Sequence, residues 1–199
     1  MEYGHKDHAL NEQDLPEPVT FYAATKAAAT LLCRQHARAN GRPVIILRLF
    51  SVYGYWEAHH RLIPTAMLDA MHGREIFLTV PGFRRDMVFV DDVVDACLKA
   101  AFVDAPPGEI VNIGTGQQWT NEQVVSMIGE IAGRPLAMRA GVYPARESDT
   151  THWVADIGHA ARILDWRPHT PLRQGLGKTM VWLMDNQQVY LRQQRGETA

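Results

Sequence analysis

The sequence has few of the features that mark secreted, membrane or nucleic-acid-binding proteins. Its 199 residues include only two cysteines, in no C-x-x-C or Cys/His pattern, which argues against a disulfide scaffold and favours a reducing, cytoplasmic location. No apolar run reaches the roughly 18 residues of a membrane span, and the N-terminus is polar, so we expect no membrane partner. The net charge of −2 leaves no basic surplus for nucleic acid.

Metal-ligand spacing is also missing. His5 and His8 frame one short segment, and His59 and His60 are adjacent, but no third ligand follows either pair at a suitable spacing. We therefore expect no bound metal.

What the sequence does contain is an alternation of helix and strand patterns. An alanine-rich segment without Gly or Pro predicts a helix from Tyr22 to Asn40 that ends at Gly41. The β-branched run from Val44 to Phe50 predicts a strand buried on both faces. The later segments predict helices at 64–71, from 91, at 120–132, at 157–164 and from 172, with strands at 75–80, 87–90, 109–113 and 136–140. The polar tail after Tyr190 is expected to fray. This alternation is typical of an α/β fold with a mainly parallel sheet, in one domain covering residues 1–199.

Tyr22 and Lys26 form the pair that carries the clearest chemistry. A spacing of four residues at the start of a helix places both side chains on one face. A neighbouring cation favours the ionised phenolate, so this pair could take a proton from a hydroxyl group or return one. A Tyr/Lys pair at this spacing is more often ordinary surface, so its context has to decide between the two interpretations.

The context is a series of four ordered motifs. They are FYAATKAAA at 21–29, LRLFSVYG at 47–54, RRDMVFVDDVVDA at 84–96 and EIVNIGTG at 109–116, and the similarity continues through 144–168. Together they resemble the C-terminal two-thirds of an extended short-chain dehydrogenase/reductase, in the NAD-dependent nucleotide-sugar epimerase and dehydratase group. The resemblance implies part of a Rossmann-like sheet followed by a small substrate-binding subdomain. Residues 1–60 would belong mainly to the first part and residues 61–199 mainly to the second.

The resemblance also implies the residues that handle the cofactor, NAD or NADP. Tyr22 would be the catalytic acid/base, and Lys26 would bind the nicotinamide ribose. Phe50 and Val52 would lie against the nicotinamide. Ser51, where many members of the family have Asn, would contact the substrate.

A nucleotide-diphosphate sugar is the substrate that the resemblance implies. Arg85 and Arg146 match the family's diphosphate-binding arginines, and a guanidinium fork suits phosphate oxygens. Asp149 would belong to the same substrate site. The turn from Gly114 to Gly116 would lie near the nucleotide end of the pocket. An alternative for each arginine is a surface ion pair with a neighbouring aspartate.

Two parts of the family pattern are missing from the 199 residues. The glycine-rich turn that binds the dinucleotide pyrophosphate is not present, and the catalytic Ser/Thr of the family would precede Met1, because Glu2-Tyr3-Gly4 matches the string that follows it. The leading hypothesis is an NAD(P)-dependent epimerase or 4-ketoreductase, incomplete as this single chain. The alternatives are a non-catalytic nucleotide-sugar-binding or subunit-interaction module, and one half of a split enzyme.

The resemblance finally implies a homodimer. The helices that begin at Tyr22 and Asp91 would form its interface. Their apolar contacts would come from five residues: Ala28, Leu31, Leu32, Cys97 and Leu98.

Overall fold

The computed structural model describes residues 2–194, in which helices and strands alternate along the chain. The elements of this part are α1 Phe21–Asn40, β1 Ile45–Leu49, β2 Ser51–Tyr53, α2 Leu62–His72, β3 Ile76–Thr79, β4 Arg84–Arg85, β5 Met87–Phe89, α3 Val90–Phe102, β6 Glu109–Ile113, β7 Trp119–Thr120, α4 Asn121–Ile131, β8 Met138–Tyr143, α5 Gly158–Leu164, α6 Leu172–Asp185 and α7 Gln187–Gln194.

The strands form four two-stranded ladders, of which β1–β6, β2–β5 and β3–β8 are parallel and β4–β7 is antiparallel. The chain changes partner between β1 and β2. Phe50 N donates to Ile113 O at 2.9 Å, next to β6, and Ser51 N then donates to Asp86 O at 3.0 Å, next to β5. The expected α/β class with a mainly parallel sheet is confirmed. The strand expected at Val44–Phe50 corresponds to β1, and β2 follows after Phe50 with a different partner.

Local signals account for several helix boundaries. The hydroxyl of Thr20 accepts from Ala23 N and starts α1, and Gly41, with φ +58°, ends it. Thr120 and Gln123 form the capping box that starts α4. The single helix expected from Leu172 is wrong: α6 and α7 are separate helices. Of the tail expected to fray, residues 191–194 continue α7, and residues 195–199 lie outside the described residues.

Three hydrophobic clusters hold the structure together. The largest joins α2, α4 and α6 with Tyr53 and Phe89. A second lies between the β1–β6 pair and helices α3 and α5. A third, smaller cluster contains Tyr3, Phe50 and Trp153. The first two clusters draw on both sides of residue 60, and the division of the chain at that position stays a prediction.

Helices α1 and α3 pack on opposite faces of β1. Ile45 and Leu47 point into the cluster that contains α3. Arg48, on the other face of the strand, pairs with Glu2, whose Oε1 accepts from Thr30 of α1 at 3.0 Å. Because side chains alternate along a strand, the two helices cannot lie side by side. The expectation that they form one continuous dimer interface is therefore corrected.

The strand β1 is less covered than expected. Its first three residues are half-buried, and Leu49 is 46% exposed. The prediction of burial on both faces is wrong for the described residues, because only the α3 side contributes a full apolar cluster. No helix among residues 2–194 combines the length and the apolar character needed to cross a bilayer.

Candidate active site

One cavity of about 960 Å³ gathers the eight side chains that the sequence assigned to catalysis, cofactor binding or substrate binding. They come from α1, from the β1–β2 segment, from the end of β4 and from the loop after β8: Tyr22, Lys26, Phe50, Ser51, Val52, Arg85, Arg146 and Asp149. The structure thus brings together side chains that are more than a hundred residues apart in sequence.

The first two turns of α1 carry the Tyr22 and Lys26 pair. The Lys26 ammonium lies 5.6 Å from the centre of the Tyr22 ring, and the Tyr22 side chain is open to the cavity and to solvent. The cap that Thr20 provides fixes the start of the helix, and hence the place at which this pair meets the cavity. The arrangement can present a phenol oxygen to a hydroxyl group while a cation lies one helical turn away.

Asp149 forms hydrogen bonds with both arginines of the cavity. Arg85 Nη2 donates to Asp149 Oδ1 at 3.0 Å, and the other carboxylate oxygen accepts from the backbone N–H of Arg146 at 2.9 Å. Burial lowers the pKa of the Arg85 guanidinium, Asp149 opposes that shift, and nearby Arg146 adds to it. Two guanidinium groups close enough to perturb each other suit a ligand with two negative charges. In this structure Asp149 positions the arginines.

The floor of the cavity lies at Phe50, where the chain passes from β1 to β2 and changes its strand partner from β6 to β5. Phe50 packs against Trp153, with ring centroids 5.6 Å apart, and Trp153 N donates to the side-chain oxygen of Gln118 at 2.8 Å. Ser51 and Val52 continue the wall along β2. The floor is therefore aromatic and apolar, and the charged groups stand around it.

Sequence reasoning missed a network of charged and polar side chains that also lines the cavity and is formed by Glu2, Tyr3 and Arg48. Arg48 is 7% exposed, and its Nε lies 3.1 Å from Glu2 Oε2. Its guanidinium also stands 4.7 Å from the centre of the Tyr3 ring. Tyr3 donates to Asn112 Oδ1 at 2.6 Å, and burial raises the pKa of its phenol to about 12. The signal that could have found the network was an arginine inside an otherwise apolar strand, since buried charges require partners.

The turn from Gly114 to Gly116 has a different role from the one expected. Its backbone N–H groups at Thr115 and Gly116 donate to the buried carboxylate of Asp86 at 2.8 and 3.0 Å. The turn does not contribute to the wall of the cavity. It binds a carboxylate of the protein itself, next to Arg85, and so supports the site from outside.

Arg61 and Trp153 also line the cavity. Nothing in their sequence surroundings distinguished them, because Arg61 precedes an ordinary helix and Trp153 fits a core pattern. Within residues 2–194 no three His, Cys, Asp or Glu side chains converge as a metal site would require.

Comparison of the chain with known proteins shows which family it resembles. Residues 1–114 match the model of the NAD dependent epimerase/dehydratase family. An uncharacterized UDP-glucose epimerase of Bacillus subtilis is 32% identical over 91% of this chain and 57% of its own length. A dTDP-glucose 4,6-dehydratase of Escherichia coli is 28% identical over 92% of this chain and 54% of its own.

A solved structure shows the same fold. MoeE5, described in complex with UDP-glucuronic acid and NAD, is 33% identical, with a TM-score of 0.85, and the match covers 93% of this chain and 62% of MoeE5. The chain spans somewhat more than half the length of the curated relatives it matches. With more than half of its residues inside the family model, and the Tyr22 and Arg85 motifs within the matched part, this chain belongs to the NAD-dependent epimerase/dehydratase family.

Proposed function

We propose that the cavity binds a nucleotide-diphosphate sugar and serves epimerase or 4-ketoreductase chemistry that depends on NAD or NADP. The observation that carries the proposal is the convergence of all eight candidate residues on one cavity, with the acid/base pair supplied by α1 and the arginines by β4 and the loop after β8. The relatives support the substrate class, since their names include UDP-glucose and dTDP-glucose.

The chemistry proposed for this chain is a proton transfer at the Tyr22 oxygen. Tyr22 accepts the proton of a sugar hydroxyl as the hydride of the same carbon leaves, so the carbinol becomes a ketone, and Lys26 stabilises the phenolate. Arg85 and Arg146 hold the diphosphate and so fix the distance of the sugar from Tyr22. NAD or NADP, when bound, would supply the acceptor for the hydride.

The cavity fits one end of that cofactor. Lys26 can donate to ribose hydroxyls, and Phe50 and Val52 offer the apolar surface that a nicotinamide ring requires. Since the 199 residues contain no glycine-rich pyrophosphate turn, we expect this chain alone to bind NAD weakly. Epimerase or ketoreductase chemistry is favoured over dehydration because Ala23, Ala24 and Thr25, between the acid/base pair, supply no acidic side chain.

Calorimetric titration with UDP-glucose and with dTDP-glucose tests the substrate assignment. Arg85→Ala and Arg146→Ala should each weaken binding about tenfold or more, because each removes a charge-assisted bond of roughly 1.5–3 kcal/mol. Tyr22→Phe should bind as the unmodified chain does, since its oxygen serves the reacting hydroxyl. Loss of binding in Tyr22→Phe with none in the arginine variants would contradict these roles. The same titration with NAD should show no micromolar site.

The alternative proposal is a nucleotide-sugar-binding or subunit-interaction module, or one half of a split enzyme. It rests on the same cavity, which needs no cofactor in order to bind a nucleotide sugar. Incubation with NAD and UDP-glucose, followed by NMR of the sugar, separates the two proposals, because an epimerised or keto-sugar product requires catalysis. Homodimerisation through the exposed face of α1 and a cytoplasmic location remain proposals.

A further inference from the structure

The loop between β2 and α2 buries a carboxylate and exposes an aromatic ring. Trp56 is 68% exposed and has a left-handed backbone with φ +62°, which is unusual for a residue with a bulky side chain. The side chain of the next residue, Glu57, is only 15% exposed. This reversal of the ordinary preference leaves an acidic side chain largely buried, four residues before Arg61 of the cavity wall.

Arg61 is the positively charged partner of the Glu57 carboxylate. Arg61 Nε lies 3.7 Å from Glu57 Oε1, and the other carboxylate oxygen is buried without a hydrogen-bond partner among the described residues. Among the described residues, the other titratable group that faces Glu57 is the Tyr190 phenol of α7, whose pKa is raised to about 12 by burial and by the charge of Glu57. His59 and His60, on the same loop, pack edge to face with ring centroids 5.4 Å apart.

Arg61 also belongs to the cavity wall, together with Arg85 and Arg146. It contacts Glu57 through Nε, so its two terminal nitrogens remain available, and the guanidinium side chain is 63% exposed. The Arg61 guanidinium therefore lies beside the Glu57 carboxylate and also lines the cavity that is proposed to bind the diphosphate.

The two anions compete for one cation. Burial raises the pKa of the Glu57 carboxyl to about 7, and Arg61 and the backbone of Gly54 oppose this shift. When Arg61 turns to a diphosphate, the carboxylate loses its opposing charge, and its affinity for a proton must rise. The ligand and the proton then favour each other by the same factor, because linkage between two binding events is reciprocal.

We propose that the diphosphate of a nucleotide sugar and a proton bind cooperatively, with Arg61 as a third diphosphate-binding side chain and Glu57 as the positioning residue that takes up the proton. The proposal rests on the nucleotide-sugar function given above and adds a coupling to it. As pH rises through neutrality, Glu57 becomes ionised and keeps its ion pair with Arg61. The affinity of the protein for the diphosphate therefore falls.

Calorimetry with UDP-glucose between about pH 6 and pH 8 measures the coupling, since the diphosphate of this probe does not itself titrate in that range. Repeating the titration near pH 7 in buffers of different ionisation enthalpy gives the protons taken up. We expect the uptake of a substantial fraction of one proton, and an affinity about three to ten times weaker at the alkaline end. An absence of proton uptake would overturn the proposal.

Substitutions at Glu57 and Arg61 test whether these two residues couple the binding of the proton to the binding of the diphosphate. Glu57→Gln, which imitates the protonated carboxyl, should take up no proton and keep the acid-side affinity throughout. Arg61→Met should weaken acid-side binding and also abolish the uptake, so it provides the same test if Glu57→Gln does not fold. His59→Gln and His60→Gln should keep the full pH dependence of the unmodified chain. An unchanged pH profile in Glu57→Gln would refute the coupling.

Arg85→Ala distinguishes a failure of the proposed proton coupling from a failure of the proposed nucleotide-sugar binding. If it weakens UDP-glucose binding while Glu57→Gln leaves the pH profile unchanged, the coupling fails and the proposed function stands. If neither Arg85→Ala nor Arg146→Ala affects binding, the proposed function fails, whatever the behaviour of Glu57.

Discussion

Asp86 shows how one buried residue can organise the surroundings of the site. Its side chain is completely buried and accepts four hydrogen bonds, from the N–H and hydroxyl of Thr115, from Gly116 N and from Ala155 N, at 2.6–3.0 Å. Burial raises the pKa of this carboxyl, and the four donors oppose the shift. The carboxylate thereby ties β4 to the turn after β6 and to the segment that follows Trp153.

We predict that Asp86→Asn destabilises the fold by about 2–5 kcal/mol. An amide has one acceptor oxygen, so two of the buried donors would face an NH₂ group, and each unpaired donor costs about 1–3 kcal/mol. Urea unfolding followed by circular dichroism measures the difference. Asp91→Asn, at an exposed position that lies 3.8 Å from Lys178, is the matched control and should change the midpoint little. Equal effects of the two substitutions would show that the hydrogen bonds of Asp86 are not responsible.

At the scale of the elements, α6 packs closely against β2 at Tyr53. The phenol of Tyr53 lies in the largest cluster and donates to Leu172 O at 3.3 Å. A Cβ atom at Gly175 would overlap the phenol oxygen of Tyr53. The glycine is therefore needed for contact between the helix and the strand.

Gly175→Ala should destabilise the chain by about 1–3 kcal/mol, because an added methyl group would force Tyr53 out of its position. Gly177, two residues later on the same helix, has no atom within 4 Å of an added Cβ. Gly177→Ala should accordingly stabilise α6 by about 0.5–1 kcal/mol through helix propensity. Thermal unfolding of both variants tests the contrast, and a stabilising effect at Gly175 would disprove the account of the packing.

For the whole molecule, the important feature is the apolar surface that it leaves exposed. Leu31 and Leu32 of α1 are 59% and 72% exposed, and Val94 and Leu98 of α3 are 51% and 58% exposed. Since the two helices lie on opposite faces of β1, these are two separate surfaces. A homodimer through α1 would cover only the first of them.

We expect Leu32→Lys to shift the chain from dimer to monomer in light scattering at micromolar concentration. The charge would be buried against a second copy of α1 at a cost that a small helix interface could not offset. Val94→Lys places the same charge on the other surface and should leave the dimer intact. A monomeric unmodified chain, or dissociation caused by Val94→Lys alone, would contradict dimerisation through α1.

The amino-acid sequence by itself determined the features that depend on neighbouring residues. The helix from Tyr22 to Asn40 with its cap at Gly41, the capping box of Thr120 and the order of the α/β elements follow from propensity, caps and periodicity, which act over a few residues. The four motifs identified the family, and all eight site residues lie around one cavity. Their individual roles stay predictions.

The tertiary structure alone decided which distant groups meet. Asp149 joins two arginines, Glu57 is buried beside Arg61, and the N–H groups of the Gly114–Gly116 turn bind Asp86. The change of partner at Phe50, and the placement of α1 and α3 on opposite faces of β1, could not be predicted from local patterns. Each depends on where a strand lies in the sheet and on which charges become desolvated, and these are set by contacts between residues far apart in sequence.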